Sequence, residues 1–172
     1  MAHMDPELLL RRKWTLKAHG RQVVFVKRPR EKTSHVLMKA LLWALYLPEY
    51  PDLSVEVSAG GRYKPDVVAL GEGNRPRFWG EAGEVGLRKV RALAFRYGDT
   101  HIALAKWDTR LEPFVALVRK ALTGSRRTAP FDLIRFPRDS AERFIDPRGM
   151  VRLTRDDLDW VRLCGEEAAG RQ

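Results

Sequence analysis

The sequence predicts an α/β fold, a β-sheet flanked by helices with a hairpin at its N-terminal end. Two observations predict it. The elements follow the order helix, three strands, helix, strand, and apolar residues make up 44% of the 172 positions, enough to form a core. A chain of this length suits one domain, so we interpret residues 1–172 as a single domain.

The N-terminal part predicts a hairpin followed by a buried helix. Residues 13–18 and 22–27 have the pattern of two short strands, and His19-Gly20 lies between them as the turn. A helix is predicted over residues 32–47, where Pro48 stops it. Its apolar residues surround almost the whole circumference, which is typical of a buried central helix.

The middle of the chain supplies the rest of the predicted core. Alternating or apolar runs predict strands over residues 53–58, 66–70, 77–83 and 100–107. Amphipathic patterns predict helices over residues 86–97 and from Asp108 or Thr109 to Leu122.

The two ends of the chain lie outside this core. Residues 123–172 are interpreted as a C-terminal extension, with short strands over 131–136 and 151–153 and a short helix over 154–163. Residues 1–3 resemble a remnant of an expression vector.

The net charge of +10 is concentrated near the N-terminus. Between Arg11 and Lys39 there are ten Lys or Arg residues and a single acid, Glu31. Such a basic segment suits a polyanion such as nucleic acid, although a solvated basic face has the same composition. A basic composition alone does not distinguish DNA, RNA and an acidic protein.

Other classes of protein are excluded by composition. The single cysteine, Cys164, rules out an internal disulfide and a multi-cysteine zinc cluster. No run approaches the roughly 20 apolar residues of a membrane span, so we expect no membrane partner and a cytoplasmic location.

Two acids stand out as candidates for chemistry. Asp66 follows Pro65 at the start of one predicted strand, and Glu81 lies in the next strand among small residues. Adjacent strands can bring both carboxylates to one end of a sheet, and carboxylates with water are the ligands that Mg²⁺ prefers. The alternative is that Asp66 caps a turn and Glu81 pairs with an arginine. His35 and His101 are interpreted as capping groups or groups at the core edge.

In this order of elements the chain resembles the PD-(D/E)xK nuclease superfamily, and within it the YaeQ family. The resemblance covers roughly residues 12–122 and is carried by Pro29-x-Glu31, residues 35–46 (HVLMKALLWALY), Lys64-Pro65-Asp66 and residues 79–83 (WGEAG). It implies a restriction-endonuclease-like core of order α-β-β-β-α-β with a mixed sheet.

The resemblance also implies roles for individual residues. Asp66 and Glu81 match the metal-binding acids, and the carbonyl of Ala82 matches a third ligand. Glu31, at the start of the first core helix, matches an additional helix glutamate that binds the metal directly or through water in many members. The implied metal is Mg²⁺ or Mn²⁺.

One departure from the family pattern concerns the motif lysine. Gly83 stands where that lysine belongs, two residues after Glu81, and cannot supply a cation. Some superfamily members place the cation on the following helix, which makes Lys89 the candidate and leaves Arg88 and Arg91 as weaker alternatives.

These features predict a metal-dependent nuclease acting on DNA rather than RNA, with Asp66, Glu81 and Lys89 as its catalytic residues. The basic groups expected to hold phosphates are Arg28, Arg30, Lys32, Arg88 and Arg91. The alternatives are an inactive nucleic-acid-binding module on the same fold and a basic scaffold that docks an acidic protein.

Overall fold

A six-stranded mixed sheet organises the computed structural model, which describes residues 5–165. The predicted vector remnant lies outside the described residues. The strands are β1 (Lys13–Ala18), β2 (Arg21–Val26), β3 (Ser54–Val55), β4 (Val67–Leu70), β5 (Pro76–Ala82), β6 (His101–Trp107), β7 (Phe131–Phe136) and β8 (Asp159–Arg162). The helices are α1 (Pro6–Leu10), α2 (Thr33–Tyr46), α3 (Leu87–Arg96), α4 (Glu112–Leu122) and α5 (Ser140–Phe144).

The strands of the sheet follow the order β3-β4-β5-β6-β7-β8. The central strands β5, β6 and β7 run parallel, whereas β4 and β8 pair with them in antiparallel fashion and β3 pairs antiparallel with β4. The α/β fold with a mixed sheet is therefore confirmed.

Helix α2 packs on one face of the sheet, and α3 and α4 contribute to the core on the other. Twelve of the residues of α2 are buried, as its apolar circumference predicted. The hairpin β1-β2 closes over α2, where Phe25 meets Trp43 edge-on at 6.0 Å between ring centroids. Buried between the sheet and the other two helices are Trp79 from β5, Leu93 from α3 and Val118 from α4.

The predicted hairpin turn has the backbone that its sequence favours. His19 and Gly20 both have positive φ angles, 48° and 74°. A two-residue turn of this kind matches the twist of the strands it joins. The predicted hairpin is therefore confirmed.

The helix predicted over residues 154–163 is wrong. A single 3₁₀ turn, Arg155–Asp157, is followed by strand β8, which pairs with β7. The capping pattern of Thr154 and Asp157 is present, but it caps only that turn. Backbone pairing with an otherwise open sheet edge overrides the local helix signal. Residues 123–165 thus complete the main sheet through β7 and β8.

Smaller differences affect three other elements. The strand predicted over 53–58 is reduced to β3, since Glu56 has a φ of 58° that ends extended pairing. Instead of a strand over 151–153, Val151 makes an isolated bridge to Ile145. Helix α4 begins at Glu112, after the predicted start at Asp108 or Thr109. Among residues 5–165, no helix has the length and apolar character needed to cross a membrane.

Candidate functional site

Asp66 and Glu81 meet where β4 begins and β5 ends. The antiparallel register pairs Val67 with Gly80, so one step further along Asp66 lies opposite Glu81. The backbone N–H of Asp66 donates to the Gly80 carbonyl at 3.0 Å. In turn, the N–H of Ala82 donates to Oδ2 of Asp66 at 2.8 Å. The pairing of strands therefore brings two sequence-distant carboxylates together.

Glu81 is a buried carboxylate, with only 4% of the residue exposed. Its Oε1 accepts a hydrogen bond from Nε1 of Trp79 at 2.9 Å and lies 2.9 Å from Nζ of Lys89. Burial raises the pKa of Glu81, and the negative charge of Asp66 adds to that rise, whereas Lys89 and Trp79 oppose it. The net direction is upward, so this carboxyl group holds its proton more tightly than an ordinary glutamate.

Lys89 reaches inward from α3 to Glu81. Besides contacting Glu81, its ammonium lies 5.2 Å from the centre of the Tyr63 ring. Arg88 and Arg91 are exposed, and Arg91 lies over the ring of Phe95 on the same helix at 4.8 Å. Of these three candidate cations in the described chain, Lys89 is the one in contact with Glu81.

Glu31 lies just before α2 and contacts two basic side chains of that helix. Its Oε2 is 2.5 Å from Nδ1 of His35 and 2.7 Å from Nζ of Lys39. Burial acts to raise the pKa of Glu31, but hydrogen bonds from Lys39, the Arg28 backbone and His35 outweigh it, so the pKa is lowered. Glu31 is therefore ionised and already paired within the chain.

His35 links Glu31 to Asp66. While Nδ1 faces Glu31, Nε2 lies 3.5 Å from Oδ1 of Asp66. The hydrogen bond to Asp66 raises the pKa of His35, and burial only partly opposes that rise. A histidine between two carboxylates can hold a proton there near neutral pH.

Lys39 is almost fully buried, but two glutamates lie close enough to its ammonium to form salt bridges. Its residue exposure is 1%, and Nζ lies 2.7 Å from Glu31 and 2.8 Å from Glu56. Burial lowers the pKa of Lys39, but the hydrogen bonds and charges of Glu31 and Glu56 outweigh it and the pKa is raised. Lys39 is thus a paired internal cation that holds the start of α2 against the end of β3.

Lys106 approaches the same region from β6. Its Nζ donates to the carbonyl of Gly83 at 2.7 Å and lies 4.0 Å from the centre of the Phe114 ring. Burial lowers the pKa of Lys106, although the charge of Glu84 acts in the other direction. This lysine is therefore a second internal cation, beside Gly83.

A cleft of about 630 Å³ opens between the start of α2 and the end of β5. Charged side chains on its wall are Arg30, Glu31, Lys32, His35, Glu84 and Lys106. Arg30 and Lys32 are exposed, while Arg28 lies just outside, 3.5 Å from Glu56. The cleft therefore has more basic than acidic groups, in keeping with an anionic ligand.

The structure brings four of the predicted site residues, Glu31, Asp66, Glu81 and Lys89, into one connected cluster, and Ala82 belongs to it through its N–H. Sequence reasoning missed His35, Lys39 and Lys106. A signal existed for each, because residues 31, 35 and 39 recur at the four-residue spacing of one helix face and Lys106 interrupts an apolar strand.

Comparison with known proteins identifies the fold. No protein-family model matches the chain, and no curated protein matches its sequence. Among solved structures, the fold occurs in proteins of the YaeQ type. The YaeQ protein from Pseudomonas syringae is similar, with a TM-score of 0.60 and 16% sequence identity over 90% of this chain and 96% of that one. The YaeQ protein from Xanthomonas axonopodis pv. citri has a TM-score of 0.59 and 14% identity over 90% and 98% of the two chains.

Proposed function

We propose that this chain is a YaeQ-like member of the PD-(D/E)xK superfamily that hydrolyses phosphodiester bonds, in DNA rather than RNA, with Mg²⁺ or Mn²⁺. The observation that carries the proposal is the pairing of Asp66 and Glu81 at the strand ends. These carboxylates lie at the carboxyl end of the parallel strand β5, the edge where open α/β sheets bind their ligands.

The oxygen ligands at this site suit a hard divalent cation that needs few ligands from the protein. Within residues 5–165 no group of three or more His, Cys, Asp or Glu side chains is arranged to hold a metal ion. Mg²⁺ commonly binds through one or two carboxylates and keeps several waters, so Asp66 and Glu81 with the Ala82 carbonyl would suffice. Such an ion, when bound, would lower the pKa of a water molecule and stabilise charge on a phosphate.

Glu31 does not fit a direct metal ligand. Its Oε2 contacts both His35 and Lys39, and its lowered pKa reflects those hydrogen bonds. We propose instead that Glu31 orients His35, which presents Nε2 toward Asp66 and can hold or release a proton there. This revises the role that the resemblance implies for Glu31.

Basic groups around the cleft would hold the substrate backbone. Arg30 and Lys32 line the cleft, Arg28 is exposed near the start of α2, and Arg88 and Arg91 are exposed on α3. Contacts of this kind bind phosphates without reading base sequence. Lys89, already paired with Glu81, would fix the position of that carboxylate.

The test is a cleavage assay on purified protein with Mg²⁺, with Mn²⁺ and with EDTA. Substrates are single-stranded, duplex and flapped DNA and a matched RNA. We expect metal-dependent cleavage of DNA that Asp66→Asn and Glu81→Gln each reduce by about 100-fold or more, with DNA binding retained.

Asp99→Asn is the matched control, because Asp99 is an exposed acid paired with Arg75 outside the cleft. It should cleave as the unchanged protein does. If no substrate is cleaved with either metal, the proposal that this chain hydrolyses phosphodiester bonds is wrong.

A second candidate is nucleic-acid binding without cleavage. It is favoured by the ion pairs, since each of Glu31, Asp66 and Glu81 already lies near a basic side chain of the chain itself. This candidate predicts salt-dependent binding to DNA and no cleavage. A basic scaffold for an acidic protein instead predicts no salt-dependent affinity for nucleic acid, which a salt titration measures.

A further inference from the structure

Lys106 is a buried cation without a salt bridge in the described part of the chain; the charge of Glu84, which lines the same cleft, acts on it without direct contact. Only 4% of the residue is exposed, and no acid among residues 5–165 forms a salt bridge with its Nζ. Its described contacts are the Gly83 carbonyl and the ring of Phe114. Burial of an unpaired ammonium costs free energy, whereas an apolar side chain of similar length would not incur that cost.

The other buried lysine shows what a structural pair looks like in this fold. Lys39 is as deeply buried as Lys106, but two glutamates lie within 2.8 Å of its ammonium. Lys106 instead lines the cleft of about 630 Å³ that Arg30 and Lys32 also line. Lys106 therefore lines the space where an anionic ligand would lie, and it has no salt bridge within the described residues.

The position of Lys106 compensates for Gly83. In the parallel register of β5 and β6, Ala82 pairs with Ala105, so Lys106 lies beside Gly83 at the next step. The φ of Gly83 is 91°, a backbone conformation that side-chain-bearing residues rarely adopt. A lysine at position 83 would thus strain the chain, and Lys106 on the neighbouring strand brings an ammonium within 2.7 Å of the Gly83 carbonyl oxygen.

Lys89 is less suited to bind a ligand anion. Its ammonium already lies 2.9 Å from Oε1 of Glu81. Contact with a phosphate would have to compete with that buried carboxylate. Lys106 has no such competitor within salt-bridge distance in the described chain.

We propose that Lys106 binds a phosphate oxygen of the nucleic acid in the cleft, and, resting on the proposed nuclease function, that it is the catalytic cation that Gly83 does not provide. An ammonium placed there stabilises the negative charge that increases on the phosphate oxygens as the bond to the leaving oxygen breaks. The proposal adds Lys106 to the site and reassigns Lys89 to holding Glu81.

The first test measures binding without cleavage. Lys106→Met is compared with Lys120→Met, a matched control at an exposed lysine on α4. The probe is a fluorescent single-stranded oligothymidylate in EDTA, titrated at several salt concentrations. Loss of one phosphate contact should flatten the plot of log affinity against log salt by about 0.7 for Lys106→Met and not for the control.

Two further measurements separate a ligand-binding lysine from a structural one. Lys106→Met should raise the melting temperature, because it removes an unpaired buried charge, whereas a structural hydrogen bond to Gly83 would make it fall. In the metal-dependent assay the same variant should lose about 100-fold in cleavage rate. If Lys106→Met does not fold, Lys106→Gln replaces it in all three measurements.

The outcomes distinguish this proposal from the nuclease proposal. An unchanged salt slope overturns the phosphate contact at Lys106 even if the protein cleaves DNA. A flattened slope in a protein that cleaves nothing leaves the phosphate contact standing and overturns hydrolysis. A flattened slope with undiminished cleavage overturns the catalytic role alone.

Discussion

Two clusters of ionisable side chains lie at opposite ends of the same parallel strands, and they differ in how completely they are paired. At the amino end of β6 and β7, Asp132 has no exposed surface. Its Oδ2 accepts hydrogen bonds from Tyr46 at 2.6 Å and His101 at 2.7 Å, and its Oδ1 accepts from Arg162 at 2.7 Å. At the carboxyl end lies the cluster that contains Asp66 and Glu81, and its members Glu31, His35 and Ala82 line an open cleft.

The most buried acid of each cluster has a shifted pKa, and the two shifts are in opposite directions. Burial acts to raise the pKa of Asp132, but hydrogen bonds from His101, Arg162 and Tyr46 outweigh it, so the pKa lies far below the ordinary value. For Glu81, burial outweighs the opposing effects of Lys89 and Trp79, and the pKa is raised. Asp132 thus has a full set of hydrogen-bond donors, whereas the contacts of Glu81 with Lys89 and Trp79 do not fully offset its burial.

The largest effect that would test this contrast is expected at Asp132. Asp132→Asn keeps the shape of the side chain but leaves His101 and Arg162 without their buried counter-charge. We expect the free energy of unfolding to fall by about 3–5 kcal/mol. Urea denaturation at neutral pH measures it.

Asp99→Asn is the control for this prediction, since Asp99 forms an exposed ion pair with Arg75. Surface pairs of this kind contribute little, so the control should unfold near the midpoint of the unchanged protein. If the midpoint of Asp132→Asn also stays there, the network around Asp132 is not structural and the contrast between the clusters is wrong.

A smaller effect is expected at Tyr46, which donates to Asp132 from α2. Tyr46→Phe removes one of several donors and leaves the ring in place, so a loss of about 2 kcal/mol is expected. Tyr50→Phe is the matched control, because Tyr50 is half-buried and faces Nδ1 of His101 rather than the carboxylate. A control as destabilised as Tyr46→Phe would show that the carboxylate is not the centre of the network.

Much of the fold could be predicted because its signals are local. The apolar circumference of α2, the turn at His19-Gly20 and the alternating strands each depend on neighbouring residues. Strand β8 was missed because its pairing with β7 is a long-range event, and the acidic turn before it carries a genuine helix signal. The sequence shows the local preference but not the open sheet edge that overrides it.

The acids of the site could be predicted and the bases only in part. Asp66, Glu81 and Lys89 stand in recognisable local patterns. His101 was interpreted as a capping group or a group at the core edge; it is hydrogen-bonded to Asp132, which no local pattern connects to it. Lys106 meets Gly83 only through the register of two parallel strands. Partners that meet across strands are the part of a site that a single sequence does not reveal.

The smallest effect on stability is expected at Glu81, and its sign is the sharpest test of the contrast. An acid whose pKa is raised by folding contributes its full stability below its ordinary pKa of 4.5 and loses it as the pH rises through the folded value. Glu81→Gln should therefore be as stable as the unchanged protein at pH 7, or up to about 1 kcal/mol more stable, and this advantage should disappear in acid. Asp52→Asn is the control, and its change in stability with pH should have the opposite sign, because a hydrogen bond from Arg77 lowers the pKa of Asp52. Urea denaturation from pH 4 to pH 7 measures both, and a loss of about 2 kcal/mol or more in Glu81→Gln at pH 7 would make Glu81 a structural acid like Asp132.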